Sequence, residues 1–348
     1  LKQKEQNKMK KLSIGLLCLG LAAALAPLGF AQVKPKKVNS HAFIWDSAQG
    51  MRDLGTLGGS NSYALGISDS GVVVGYSDIT GNTATHAFLW TLGRGMVDIG
   101  ATAPNGDASQ ATTINASGNV AATLIVAGKQ VPAVFSPPDH WRHLPPASGD
   151  QRNFGYGIND SNQITGQLYS GEVLSAFLWD EVSGSVTLLP ALPGGNATVG
   201  NAINNLTHIA GVGNVTGGSS HAFIWSEASG IQDIGSLNGS GYTAARGINQ
   251  NDEIAGLNDP EFQGFYWSAG TGMLQLQSRG GSQSAAFAIN NAGNIAGWAS
   301  DASGVVHAAF WSDHTSVPLD LGALHGSGNS YGQGINNSGV VVGYADAK

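Results

Sequence analysis

The sequence predicts an all-β chain: a seven-bladed β-propeller of four-stranded blades, its last blade completed by strands from both ends of the chain. Three observations predict it. The phrase His86-Ala87-Phe88-Leu89-Trp90 returns with small changes at six other places, roughly every forty-five residues. Between successive copies stands a second phrase, best seen as Gly66-Ile67-Ser68-Asp69-Ser70-Gly71-Val72-Val73-Val74-Gly75-Tyr76. Apolar residues alternate at period two between breaks at Gly, Asn and Asp, and nothing downstream of the N-terminal segment keeps a helical 3.6 period. Self-similarity at a fixed period marks a repeat architecture.

The N-terminal segment stands apart. Met9-Lys10-Lys11 is a basic lead, Leu12 to Leu28 is apolar, and Gly29-Phe30-Ala31 places small residues before Gln32. Residues 1–31 therefore read as a secretory signal peptide, with Met9 as the start. The apolar run is short for a membrane anchor, and Cys18 follows Leu16-Leu17, unlike a lipoprotein site. No membrane span is expected once the segment is removed. Residues 1–31 carry five lysines and one glutamate, a net +4, so the remainder carries −11 against −7 for the whole chain. An acidic chain poor in lysine is a poor partner for nucleic acid. Cys18 is the only cysteine and leaves with the signal, so neither disulfides nor thiolate chemistry is expected.

Residues 32–40 are polar and read as a disordered lead-in. The propeller is expected over 41–348. The first phrase stands at 41–45, 86–90, 132–136, 175–179, 221–225, 263–267 and 307–311; the second is centred on Ile67, Ile114, Ile158, Ile203, Ile248, Ile289 and Ile335. In the copy from Tyr63 to Gly100, Tyr63–Ser68 reads as a first strand ending at the turn Asp69-Ser70-Gly71. Val72–Tyr76 is a second, His86–Trp90 a third and Met96–Gly100 a fourth. Both faces of such a sheet are apolar: His86, Phe88 and Trp90 point one way, Ala87 and Leu89 the other. Each unit must therefore stack on two neighbours, and radial stacking into a ring buries every face. The repeats begin with a third and fourth strand (His41–Trp45, Met51–Gly55) and end with a first and second (Gly334–Asn336, Val340–Tyr344). Pairing Val340–Tyr344 with His41–Trp45 would clasp the ring, whereas an open solenoid has no use for complementary ends.

The repeated His-Ala-Phe-x-Trp, Asp-Leu/Ile-Gly and Gly-Ile-Asn-x-x-Gly-x-Val-x-Gly over residues 41–345 resemble the HAF repeats, an extracellular family of secreted bacterial proteins named for the His-Ala-Phe tripeptide. The resemblance implies secretion, to the periplasm or beyond, and a propeller-like fold. It implies no assigned activity and carries no catalytic residues. Pro132–Ser136, lacking both His and Trp, departs most from the pattern.

Candidate chemistry is sparse. His41, His86, His221 and His307 occupy equivalent places in separate units, which suits a strand-end bond rather than one shared metal ion. The same holds for Asp53, Asp98, Asp233 and Asp320. His140-Trp141-Arg142-His143 lies outside the pattern and reads as a divergent outer strand. Asp180-Glu181, Asp252-Glu253 and Asp259/Glu261 sit in turn-like segments; carboxylate pairs serve glycoside cleavage only at particular separations. Neither a calcium loop nor a phosphate-binding Gly-Lys-Ser/Thr is present. No metal, cofactor or catalytic residue is expected.

The repeats differ most at one place. One and three residues before the central Ile stand mostly Gly or Ala, but two before it stand Leu65, Thr112, Tyr156, Asn201, Arg246, Phe287 and Gln333. Packing common to every unit would give similar residues there, so a variable, partly polar position on the innermost strand reads as a channel lining. Thr112, Tyr156, Asn201, Arg246 and Gln333 are the expected ligand-binding residues. The function expected is a secreted, monomeric, non-catalytic binding or scaffold protein, holding a glycan, peptide or cell-surface partner at the channel mouth and loops. The alternatives are an extracellular polysaccharide hydrolase or lyase with acid/base groups in the channel, and a structural envelope protein.

Overall fold

The computed structural model describes residues 39–347, apart from 104–107, 145–151, 238, 240, 260–261 and 327. The expected signal segment lies outside the described residues, as does the lead-in up to 38. Among the described residues no helix is long and apolar enough to cross a membrane.

Alternation at period two and frequent turn residues yield short antiparallel strands. In the first unit they are Gly58–Ile67, Val73–Ile79, Thr85–Thr91 and Gly95–Asp98, hydrogen-bonded in chain order. Gly71 closes the first turn at φ +81°, a left-handed conformation that costs glycine little. The described strands form six sheets, five of four strands and one of eight; the last is two antiparallel runs of four joined by one parallel bridge, Ser220 to Tyr242. Counted that way, the described residues form seven four-stranded units.

The seventh unit is built from both ends of the described chain. Ser330–Ile335 and Val341–Ala347 supply its first two strands, Asn39–Asp46 and Gly50–Asp53 the others. His41 pairs with Ala345, Phe43 with Gly343 and Trp45 with Val341. The pairing starts earlier than the sequence suggested. Asn39 and Ser40, expected in the lead-in, pair with Ala347 and Asp346, and Asn61 Oδ1 accepts the Ser40 N–H at 3.0 Å.

The core lies between units as well as within them. The third-strand phenylalanines Phe43, Phe88, Phe135, Phe177, Phe223 and Phe265 are fully buried; each such side chain is worth about 1.5–3 kcal/mol of burial. Val74, Ala87 and Ile99 of the first unit share one cluster with Ala111, Val120 and Phe135 of the second. Unit six carries Ala309 where the others carry Phe, and its Trp311 is buried instead, donating to the Gln277 carbonyl at 2.9 Å.

The junction joining the chain ends is reinforced by a run of aromatic rings. Trp298 meets Tyr331 at 6.2 Å, Tyr331 meets Tyr344 at 5.0 Å, Tyr344 meets Tyr63 at 5.0 Å, and Tyr63 stacks on Tyr76 at 4.9 Å. Such pairs contribute about 0.5–1.5 kcal/mol each beyond area burial. Burial, with added repulsion from neighbouring Asp78 or Asp346, pushes all four phenols above their ordinary range.

Candidate functional site at the channel mouth

The first strands of all seven units surround one cavity of about 360 Å³. Their packing explains the small residues beside each central isoleucine. A Cβ on Gly66 would lie 2.9 Å from the Thr112 carbonyl oxygen and 3.0 Å from Thr113 Cα, so neighbouring strands approach almost backbone to backbone.

Each of these strands carries a β-bulge at the variable position. Ala64 pairs with Gly75 and Gly66 with Val74, leaving Leu65 without a partner in the ladder. The same shift isolates Thr112, Tyr156, Asn201, Arg246, Phe287 and Gln333. An extra residue in a bulge is freed from ladder geometry and can be re-aimed. The repeats thus vary where the backbone demands least of the side chain.

Re-aiming has two outcomes. Asn201, Arg246, Phe287 and Gln333, from four consecutive units, line the cavity together with Leu65. Asn201 is held by its own amide, which donates to the Ala245 carbonyl at 2.7 Å, and the Arg246 guanidinium carbon lies 6.0 Å from the Phe287 ring centre. Thr112 and Tyr156, expected in the lining, are not part of it. Thr112 is buried and its hydroxyl donates to the carbonyls of Ala121 and Gly155 at 3.0 and 3.3 Å. Tyr156 is buried against Phe154, and its hydroxyl donates to Gln167 Oε1 at 3.2 Å. Thr112 finds acceptors in its own sheet and the next, and Tyr156 in its own, whereas Thr113 and Gly157 line the cavity in their units. At the variable position the polar lining residues Asn201, Arg246 and Gln333 thus come from units four, five and seven.

Two residues further along each strand, the seven central isoleucines also line the cavity as an apolar girdle. Next in sequence comes an asparagine circuit. Asn115, Asn159, Asn204, Asn249 and Asn290 each donate a side-chain N–H to the backbone carbonyl of the equivalent residue in the following unit, at 2.9–3.1 Å. Asn336 donates to Ser68 at 3.2 Å, joining the last unit to the first. One residue further on, a second circuit runs at the rim. The backbone N–H groups of Ala116, Asp160, Asn205, Gln250, Asn291 and Asn337 donate to side-chain oxygens of Asp160, Asn205, Gln250, Asn291, Asn337 and Asp69. Among the described residues both circuits are interrupted at one junction, between units one and two, where Ser68 replaces Asn and Ala116 offers no acceptor. These circuits were not singled out from sequence; the Asn that follows the central Ile in six units was their signal.

The repeated histidines belong to the frame. His41, His86, His221 and His307 bond through Nδ1 to Asp53, Asp98, Asp233 and Asp320 of their own units, at 2.8, 2.8, 2.9 and 2.9 Å. Three of these aspartates, Asp53, Asp233 and Asp320, also accept the N–H of the glycine two residues on. In the divergent strand Trp141 packs on Phe135 and Arg142 pairs with Glu181 at 2.5 Å. Asp252 accepts from His208, and Glu253 accepts from the Tyr266 hydroxyl at 2.7 Å. Among the described residues no group of three His, Cys, Asp or Glu is placed to hold a metal ion.

No protein-family model matches the chain, and no curated protein matches it. Solved structures do. The chain is similar to virginiamycin B lyase from Staphylococcus aureus at 11% identity and a TM-score of 0.55, over 82% of this chain and 95% of that one. It is similar to a streptogramin B lyase at 9% identity and a TM-score of 0.55, over 89% and 98%. It is also similar to the β-propeller domain of the Trilobed protease from Pyrococcus furiosus at 11% identity and a TM-score of 0.51, over 82% and 90%. At these identities the likeness shows fold alone: an all-β chain of propeller architecture.

Proposed function

We propose that the seven units are the blades of a closed seven-bladed propeller, exported by way of a signal peptide at 1–31, and that it is a non-catalytic binding or scaffold protein whose ligand seats at the channel mouth. One observation carries the reading. The histidines, asparagines and third-strand phenylalanines that recur from unit to unit are engaged in the frame, whereas the cavity wall also carries a position that differs from unit to unit. A concave cavity combining an apolar girdle with a few converging polar side chains is the ordinary form of a ligand site. Binding is favoured over acid/base chemistry because the rim carboxylates are each tied to a neutral amide: Asp69 accepts from Asn337 Nδ2 at 2.8 Å and Asp160 from Asn205 Nδ2 at 2.6 Å. The resemblance to HAF repeats and the lysine-poor remainder of the chain support an extracytoplasmic glycan, peptide or surface partner.

A glycan and peptide array screened with the wild-type chain and with Arg246→Ala and Gln333→Ala tests the reading. Channel binding predicts that both substitutions weaken retention of the captured ligand at least severalfold while Asp233→Ala, in the outer frame, leaves it unchanged. Equal retention by all three would refute it.

A further inference from the structure

The cavity wall is electrically asymmetric, and the asymmetry selects a ligand. Among the described residues lining it, Arg246 is the sole lysine or arginine. It stands between Asn201 and Phe287, half-buried in a concave site whose low dielectric strengthens its attraction for an anion. A planar guanidinium matches a carboxylate with two parallel N–H donors. The rim adds the opposite sign. Asp69 and Asp160 flank the mouth, and both are exposed. An entering anion must pass two negative charges to reach one positive one, which disfavours multiply charged species and admits a single charge. Of the five remaining rim residues, Asn205, Gln250, Asn291 and Asn337 are neutral amides at the same mouth, suited to hydroxyl groups. The isoleucine girdle offers an apolar surface to C–H bonds. A volume of about 360 Å³ sits at the small end of ligand sites, nearer one ring than a chain of them.

We infer that the ligand is an acidic sugar, a single carboxylate on a hydroxyl-rich ring, free or at the end of a polysaccharide, seated with its carboxylate on Arg246 and its hydroxyls toward the amide rim. This rests on the proposed reading of the cavity as a binding site and adds to it the charge and chemical class of the occupant.

Isothermal titration of the wild-type chain and Arg246→Gln with D-galacturonate, its neutral methyl ester and D-galactose tests it. Arg246→Gln keeps a polar side chain of similar reach, and an unchanged melting midpoint shows that it folds. Wild type should bind the uronate at least tenfold more tightly than the ester or galactose, and Arg246→Gln should erase that preference. Raising the salt from 50 to 500 mM should weaken uronate binding severalfold. A terminal galacturonate on a short oligosaccharide distinguishes the free sugar from a polymer end by which of the two binds more tightly. If uronate and ester bind alike and both are weakened by Phe287→Ala and Gln333→Ala, the acidic-sugar inference is overturned and the channel site survives. If no probe binds, the inference fails. If binding ignores every lining substitution, the channel reading fails with it.

Discussion

Completing the two interrupted hydrogen-bond circuits should stabilise the packing of the first two units. Ser68 occupies the place where six units carry asparagine. Its hydroxyl accepts the Val72 N–H at 3.1 Å, as Asn115 Oδ1 accepts the Asn119 N–H at 2.9 Å. It lacks the amide that in the other units reaches the next carbonyl. Ala116 likewise stands where the other units carry Asp, Asn or Gln. Ser68→Asn should supply a buried bond to the Asn115 carbonyl, worth about 1 kcal/mol net. Ala116→Asn should repeat the Asn205–Asp160 arrangement, in which the amide accepts the Asp160 N–H at 2.9 Å and donates to its carboxylate at 2.6 Å. At that exposed rim the gain is about 0.5 kcal/mol. Together they give about 1.5 kcal/mol, which for a chain of this size raises the melting midpoint by roughly 2–3 °C. Differential scanning calorimetry of the double variant, with Ser117→Asn as a turn control, measures it. A midpoint equal to that of the control, or below wild type, would refute the view that this junction is limited by its missing bonds.

Other outcomes follow from the same geometry. Asn249→Ala should cost about 2–3 kcal/mol in urea unfolding, because its buried side chain accepts two backbone N–H groups at 3.0 Å and donates to Asn290 O at 2.9 Å and Glu253 Oε2 at 2.6 Å. Asp98→Ala should cost about 1 kcal/mol in the same assay, through loss of the His86 bond and of the bond from the Ala101 N–H at 2.9 Å. The four tyrosines at the terminal junction give an alkaline signature. Folding raises their phenol pKa, so the unfolded chain releases these protons near pH 10 while the folded chain keeps them. Stability is then fully present below about pH 10 and falls above it, by up to ~1.4 kcal/mol per pH unit for each tyrosine. Tyr344→Phe should make that fall shallower in urea titrations between pH 9 and 11; an identical slope would exclude the tyrosine run as its source.

Much of this architecture was legible because each unit repeats the same compromise. Period-two alternation located the strands, and the complementary half-units at the two ends located the clasp, since neither half can bury its face alone. The histidines were legible as frame because four equivalent residues had four equivalent aspartates twelve or thirteen positions on. The candidate site was legible only in part. Comparing repeats identified the variable position on the first strand, but period-two reasoning does not say where a bulged side chain points. Thr112 is short enough to satisfy its hydroxyl on carbonyls of its own and the neighbouring sheet, and Tyr156 has Phe154 and Gln167 within reach, so neither lines the cavity. Asn201, Arg246 and Gln333 turn to the axis. Phe287 and Leu65 stood in the same comparison but were not among the expected ligand-binding residues. The asparagine circuits escaped notice because their bonds run between residues some forty to forty-eight positions apart, or 268 at the closing junction, and no local pattern reports such a pairing.

The claim that the site lies where the repeats disagree is tested most directly by a crystal structure of the chain soaked with D-galacturonate. The account predicts ordered density in the cavity bounded by Asn201, Arg246, Phe287 and Gln333, with the carboxylate against Arg246. Density on the outer strands or peripheral loops, with the cavity holding only solvent, would contradict it.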